Sequence, residues 1–183
     1  MRQLETKDLI LRPADRAFAE PLLAYYRRNK SFLEEFEPKR EPSFYTYKEQ
    51  YEQLCRESLE AENKTAFRFY LSTKENTETI IGSIGVSQIV RGCFLSCYLG
   101  YKLDRGYLNR GYMTQAVRAV TEFAFADLGL HRIEGNVMPR NEASQRVLIK
   151  CGFQEEGLSR KYLRINGRWE DHIHMVILNE RMS

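Results

Sequence analysis

Apolar residues recur along the chain at two spacings, and the switches between them lay out the elements. Leu9-Ile10-Leu11-Arg12-Pro13 is a short apolar run closed by proline, which lacks the N–H that a ladder needs and so ends a strand. Asp15 follows as a candidate cap for a helix through about Tyr26. A second helix is expected from about Thr46 to Ala61. Phe67 to Ser72 alternates apolar and polar positions, as a half-buried strand does. Thr79 to Val90 and Leu95 to Leu103 read as two more strands, the first entered through a turn at Glu75-Asn76. From Gly111 to about Leu128 the period lengthens. Met113, Ala116, Val117, Val120 and Ala124 fall mostly three or four apart and make one stripe of a long helix, with Gly129 where a left-handed residue would end it. Ile133 to Met138 is a strand stopped by Pro139, and Asn141 is placed to cap a short helix that ends at Gly152. Asn166-Gly167, between Tyr162–Ile165 and Arg168–Leu178, is a two-residue hairpin signal.

Strands that neighbour in sequence are interleaved with helices. This predicts an α/β (α+β) fold, a mixed and mostly antiparallel sheet flanked by helices. With 183 residues and no repeat or Gly/Ser linker, one domain over 1–183 is the simplest organisation. The formal net charge is only +3, and the basic residues are spread along the chain. No basic stripe suggests a direct nucleic-acid partner. No apolar stretch approaches a membrane span. Cys55, Cys93, Cys97 and Cys151 form neither a C-x-x-C pair nor a zinc-spaced cluster, so reduced thiols and a cytoplasmic setting are expected. His172 and His174 alternate on one strand face, but no third ligand has suitable spacing, and no metal is expected.

The chemistry concentrates between Leu99 and Ala116, where a strand feeds a loop that opens the long helix. The first turn of such a helix carries orphan N–H groups and the positive end of the dipole, a ready site for a phosphate or pyrophosphate. Gly111 lets the backbone approach an anion, and Arg105 and Arg110 add positive charge. An ordinary loop–helix junction reads the same way locally. There is no G-x-x-x-x-G-K-[ST] and no G-x-G-x-x-G, which argues against a nucleoside-triphosphate loop and a dinucleotide fold.

The run Gly106-Tyr107-Leu108-Asn109-Arg110-Gly111 resembles the acetyl-CoA signature of the GNAT superfamily, written [R/Q]-x-x-G-x-[G/A]. Gly106 stands where Arg or Gln is common and Asn109 where a glycine is usual, although Asn tolerates the left-handed region. The resemblance strengthens downstream. It runs through His131-Arg132-Ile133, Asn136-Val137-Met138-Pro139-Arg140-Asn141-Glu142-Ala143-Ser144, Cys151-Gly152-Phe153 and the hairpin from Tyr162 to Asp171-His172. In that string, and in its first strand, the chain is similar to the ribosomal-protein alanine N-acetyltransferases.

The resemblance implies a GNAT fold and an acetyl-CoA-dependent N-acetyltransferase. It implies that the pantetheine arm pairs with the backbone of Tyr101, Lys102 and Leu103, that amides from Asn109, Arg110, Gly111, Tyr112, Met113 and Thr114 hold the pyrophosphate, and that Asn141 contacts the cofactor as well as capping its helix. Many relatives use a tyrosine as general acid at the position held here by Leu148; others are thought to use the serine that is here Ser144, which can equally be a solvent-facing helix residue. Where many relatives carry a glutamate before the loop, this chain has Tyr98. Glu134, on one strand face with Asn136, is an alternative base, and a salt-bridged role fits it as well. Tyr162, Glu170 and Asp171 lie on the hairpin that shapes the acceptor site in the family, while core packing is the favoured reading for Tyr162 and Trp169. The expected acceptor is a protein N-terminus; a small-molecule amine, or a non-catalytic acyl-CoA-binding module, are the competing readings. A homodimer is left open.

Overall fold

The computed structural model describes residues 2–182. Eight strands make one sheet in the order β1 (Leu4–Glu5), β2 (Leu9–Pro13), β3 (Phe67–Thr73), β4 (Gly82–Val90), β5 (Ser96–Leu103), β6 (Arg132–Val137), β8 (Arg168–Leu178), β7 (Gln154–Ile165). Every neighbouring pair is antiparallel except β5–β6. Helices α1 (Ala19–Leu33), α2 (Tyr47–Glu62), α3 (Tyr112–Ala126) and α4 (Glu142–Lys150) flank it. The mixed, mostly antiparallel sheet expected from the sequence is the sheet observed.

Period-two alternation divides the core. Phe67, Phe69 and Leu71 of β3 face the apolar stripe of α3, with Phe123 edge-on to Phe67 and Phe69 at centroid distances of 5.4 and 5.3 Å. Tyr70, between them, points to the other face and packs with Leu22, Tyr25 and Tyr26 of α1 and Leu54 of α2. Each such fully buried side chain contributes about 1.5–3 kcal/mol of transfer free energy. Among the described residues no helix is long and apolar enough to cross a membrane.

Several boundaries differ from the sequence reading, each for a local reason. Asp15 caps a 3-10 turn, Arg16–Phe18, by accepting from the Ala17 N–H, and α1 itself starts at Ala19. That helix runs on to Leu33 because Asn29 and Leu33 continue its buried stripe beyond Tyr26, across a polar stretch that hides the period. β4 begins at Gly82 rather than Thr79. β7 begins at Gln154, well before Tyr162; it is an edge strand with two register shifts, so its polar and irregular sequence does not alternate. The two-residue β1 gives no pattern at all. Trp169 is 60% exposed, so core packing does not describe it.

One feature of the sheet positions the site. β5 and β6 pair only at Ser96–Arg132, Cys97–Ile133 and Tyr98–Glu134. Beyond that point β5 stays paired with β4 as far as Leu103, and β6 stays paired with β8 as far as Val137. The two strands part, and the backbone of β5 from Leu99 onward is left without a ladder partner on the β6 side.

Candidate active site

The loop from β5 to α3 is held in shape by its own backbone. Asn109 and Gly111 are both left-handed, at φ +61° and +74°. Gly111 is the residue before α3, and a Cβ there would meet nothing within 4 Å. The bend therefore turns the first amides of α3, from Tyr112 to Thr114, outward with no helical acceptor of their own. Arg110 stacks its guanidinium over the Tyr107 ring at 5.2 Å and donates to the Gly106 carbonyl at 3.2 Å.

The start of the loop is anchored by residues that the sequence reading did not single out. Asp104 is buried and accepts from Arg28 Nε at 2.5 Å, Asn29 Nδ2 at 2.9 Å and the Gly106 N–H at 2.8 Å. Asn29 Oδ1 accepts in turn from the Arg105 N–H at 3.0 Å. Burial alone would raise the Asp104 carboxyl; the Asn29 amide, the Gly106 N–H and Arg28 outweigh it and hold the group below the ordinary carboxylate range. An aspartate just before the loop was visible in the sequence, but its partners lie on α1.

Where β5 and β6 diverge, a cavity of about 700 Å³ opens. Tyr101, Lys102, Leu103, Asn109, Arg110, Gly111, Tyr112, Met113, Thr114 and Asn141 all line it, as does Ser144. Glu134 and Tyr162 are not among its lining residues. At one end the lining is the loop and first turn of α3, with Arg146 and Lys150 of α4. At the other it is Phe32, Leu33, Phe36 and Pro38, facing Leu163, Ile165 and His172 of the hairpin. Hydrogen bonds tie residues 34 and 35 to Arg140 and the hairpin near that second group. Asn166 Nδ2 donates to the Glu34 carbonyl, and Arg140 donates to the Glu35 carbonyl at 3.0 Å and reaches Glu170 Oε1 at 3.4 Å. Among the described residues the cavity wall contains one carboxylate, Glu37, which sits 2.6 Å from Lys102 Nζ and 3.4 Å from Arg40. Burial would raise Glu37, but those two cations more than cancel it and leave the carboxyl below its usual range.

Asn141 caps α4 by accepting from the Ser144 N–H at 3.2 Å. The cap fixes Ser144 in the first turn, where its Oγ lies 2.8 Å from the Tyr101 hydroxyl; that hydroxyl also donates to the Ser144 carbonyl at 3.1 Å. Burial drives the Tyr101 phenol far above its ordinary value, against a smaller lowering by Ser144, so it stays protonated. Glu134 does share a strand face with Asn136, and it is bound to Arg132 at 2.8 Å and lies 3.6 Å from His174 Nδ1. Tyr162 accepts from Asn136 Nδ2 at 3.3 Å and packs against the rings of His172 and His174 at 5.5 and 5.0 Å. Asp171 accepts from the Lys161 N–H at 2.7 Å, where Lys161 is left-handed, and so braces the bulge in β7. No group of three or more His, Cys, Asp or Glu side chains gathers at metal-binding distance among the described residues.

A strand that parts from its parallel neighbour, a left-handed loop and an exposed helix N-terminus form the frame, and the comparison with protein families agrees with it. Residues 8–154 match the model of the acetyltransferase (GNAT) domain. The chain belongs to the GNAT acetyltransferase family. It is similar to a probable N-acetyltransferase of Bacillus subtilis (strain 168), YjcK, at 39% identity over 96% of this chain and 97% of that one. A crystal structure of a ribosomal-protein-S5-alanine acetyltransferase from Vibrio fischeri superposes with a TM-score of 0.94 and 34% identity over 100% of both chains. Mycobacterium smegmatis RimJ in complex with CoA-disulfide superposes with a TM-score of 0.89 and 25% identity over 96% of this chain and 84% of that one. This GNAT protein is therefore an acetyl-CoA-dependent N-acetyltransferase.

Proposed function

We propose that the enzyme acetylates the N-terminal α-amine of a polypeptide, a ribosomal protein in the first instance. The observation that carries this reading is the charge of the cavity. Its single carboxylate is already neutralised by Lys102 and Arg40, while Arg110, Arg146, Lys150 and Arg164 also line it. Such a wall suits the phosphates of acetyl-CoA and offers no free anion to a polyamine or to a lysine side chain. The lining between residues 32–38 and the hairpin is largely apolar, which suits a small first residue. The likeness to the S5-alanine acetyltransferase supports the same choice.

In this reading acetyl-CoA lies along the free edge of β5. Its pantetheine amides pair with the backbone of Tyr101, Lys102 and Leu103, as an added strand would. Its pyrophosphate sits on the amides from Asn109 to Thr114, and Asn141 contacts the cofactor while capping α4. The cosubstrate brings the activated acyl group, so much of the rate comes from holding amine and thioester together. As the C–S bond breaks, Ser144 donates its hydroxyl proton to the departing thiolate. The Tyr101 hydroxyl, held protonated by burial, stands 2.8 Å away to replace it. Glu134 and Tyr162 act on the acceptor face as orienting groups, through Arg132, His174 and Asn136.

A thiol-release assay with acetyl-CoA and three acceptors tests the reading. The expected order of kcat/KM is an alanine-led peptide far above its N-blocked counterpart and above a polyamine. Polyamine turnover equal to or above that of the peptide would replace it with a small-molecule activity.

A further inference from the structure

Before its nitrogen can attack, the ammonium form of the acceptor must lose a proton, and the cavity holds few groups able to take one. Glu37 is committed to Lys102 and Arg40. Burial holds the Tyr101 phenol protonated, and lysine and arginine side chains are ordinarily cationic at neutral pH. His172 is the remaining side chain. It is 4% exposed and lines the cavity at the acceptor end.

We propose that Nε2 of His172 is the base that deprotonates the acceptor amine. Nδ1 lies 3.1 Å from the Glu170 carbonyl oxygen. A carbonyl only accepts, so Nδ1 carries the hydrogen and Nε2 keeps its lone pair. The Tyr162 ring, 5.5 Å away and inclined by 56°, fixes the imidazole from the β7 side. Asn136 pairs with His174 across β6–β8, and His172 is two positions along the same strand, so all three side chains share the face that receives the acceptor. Asn136 Oδ1 is buried and has no hydrogen-bond partner among the described residues, which leaves an acceptor for an incoming N–H beside the imidazole. The charged and titratable groups around the ring are Glu170 and Asp171 on its own strand, His174, Tyr162 on β7, and Arg140, which is bound to Glu170. Burial lowers the imidazole below its ordinary value and outweighs the opposing pull of Glu170 and Asp171, so the ring is neutral and ready to accept at pH 7.

The step balances. One proton passes from the ammonium to Nε2, giving a free amine and an imidazolium. The nitrogen lone pair then forms the N–C bond to the thioester carbonyl, and the C–S bond breaks with its electron pair on sulfur. Ser144 gives its hydroxyl proton to the sulfur, the second nitrogen proton restores Ser144 through the Tyr101 hydroxyl and solvent, and the imidazolium returns its proton to solvent. The inference rests only on acetyl transfer to an amine and stands whichever amine is the acceptor.

Two substitutions test it with whichever amine turns over fastest. His172→Asn keeps a donor toward the Glu170 carbonyl and removes Nε2; His172→Ala opens room for free imidazole. Both are expected to lower kcat/KM about a hundredfold at pH 7, with the acetyl-CoA Kd within twofold of wild type by calorimetry. Added imidazole should restore His172→Ala several-fold and leave the wild type unchanged. Retained activity in either variant, or a loss that imidazole does not rescue, would overturn the proposal and leave His172 a packing residue. Should neither variant bind acetyl-CoA, the wild-type pH profile decides. A limb below pH 6.5 that stays in place when the acceptor amine's pKa is changed supports it, and a limb that follows the amine overturns it.

Discussion

At the scale of single residues, the site joins parts of the chain that have no sequence relation. Asn141 was readable as a cap from its position before a short apolar-striped helix, and its bond to the Ser144 N–H is that cap. The contact between Ser144 and Tyr101 was not readable, because it depends on α4 lying over β5 after the strands part. His172 was visible as half of an alternating histidine pair and as the end of the hairpin string that resembles the family; its burial and its place on the cavity wall are seen only in the fold. Two substitutions follow. Ser144→Ala should lower kcat about tenfold or more while the acetyl-CoA Kd stays within twofold, since a thiolate protonator acts after binding. Unchanged steady-state turnover would reduce Ser144 to a helix residue. Gly111→Asp should weaken acetyl-CoA binding at least tenfold in a calorimetric titration. It forces a side chain into a φ of +74° and sets a carboxylate where the pyrophosphate is expected. An unaltered Kd would remove the pyrophosphate from this loop.

At the scale of elements, strong periodicity was legible and weak periodicity was not. The α3 stripe is set by Met113, Ala116, Val117, Val120 and Ala124, all buried in the structure. The C-terminal half of α1 and the first half of β7 escaped because their polar residues serve tertiary contacts rather than a pattern. Arg28 and Asn29 are the clearest case: they interrupt the apolar spacing of α1 in order to grip Asp104. That grip is open to test. Asp104→Asn should destabilise the protein by about 2 kcal/mol at pH 7 in urea unfolding, because it discharges a buried carboxylate that receives three donors. The folded-state pKa of Asp104 is depressed, so its contribution is present above the unfolded value of about 3.9 and is lost as pH falls through the folded value. The stability gap between wild type and Asp104→Asn should accordingly close as pH drops below about 4. A gap that is absent at pH 7, or constant with pH, would contradict an anchoring role for the carboxylate.

At the scale of the whole molecule, the fold class was legible because strands adjacent in sequence pair with one another along most of the sheet. The one parallel pair among the described residues frames the candidate site. β5 and β6 are separated by α3, run parallel for three residue pairs and then part. The opening between them is lined by the α3 terminus and by apolar residues of the 32–38 segment and the hairpin. No local pattern in the sequence encodes that divergence; the resemblance to GNAT enzymes implied only that the pantetheine arm pairs with the backbone of Tyr101, Lys102 and Leu103. The cavity wall, whose one carboxylate among the described residues is already paired, is the basis for proposing an α-amine. An α-amine has a pKa of about 7.7–8.0 against about 10.4 for lysine, so near neutrality its reactive form is a few hundredfold more abundant. The most direct test is to incubate the enzyme with acetyl-CoA and a peptide that carries both a free N-terminal alanine and an internal lysine, and to locate the acetyl group by tandem mass spectrometry. The account predicts the label on the nitrogen of residue one. Acetylation confined to the lysine side chain, or transfer only to small amines added alongside, would contradict it.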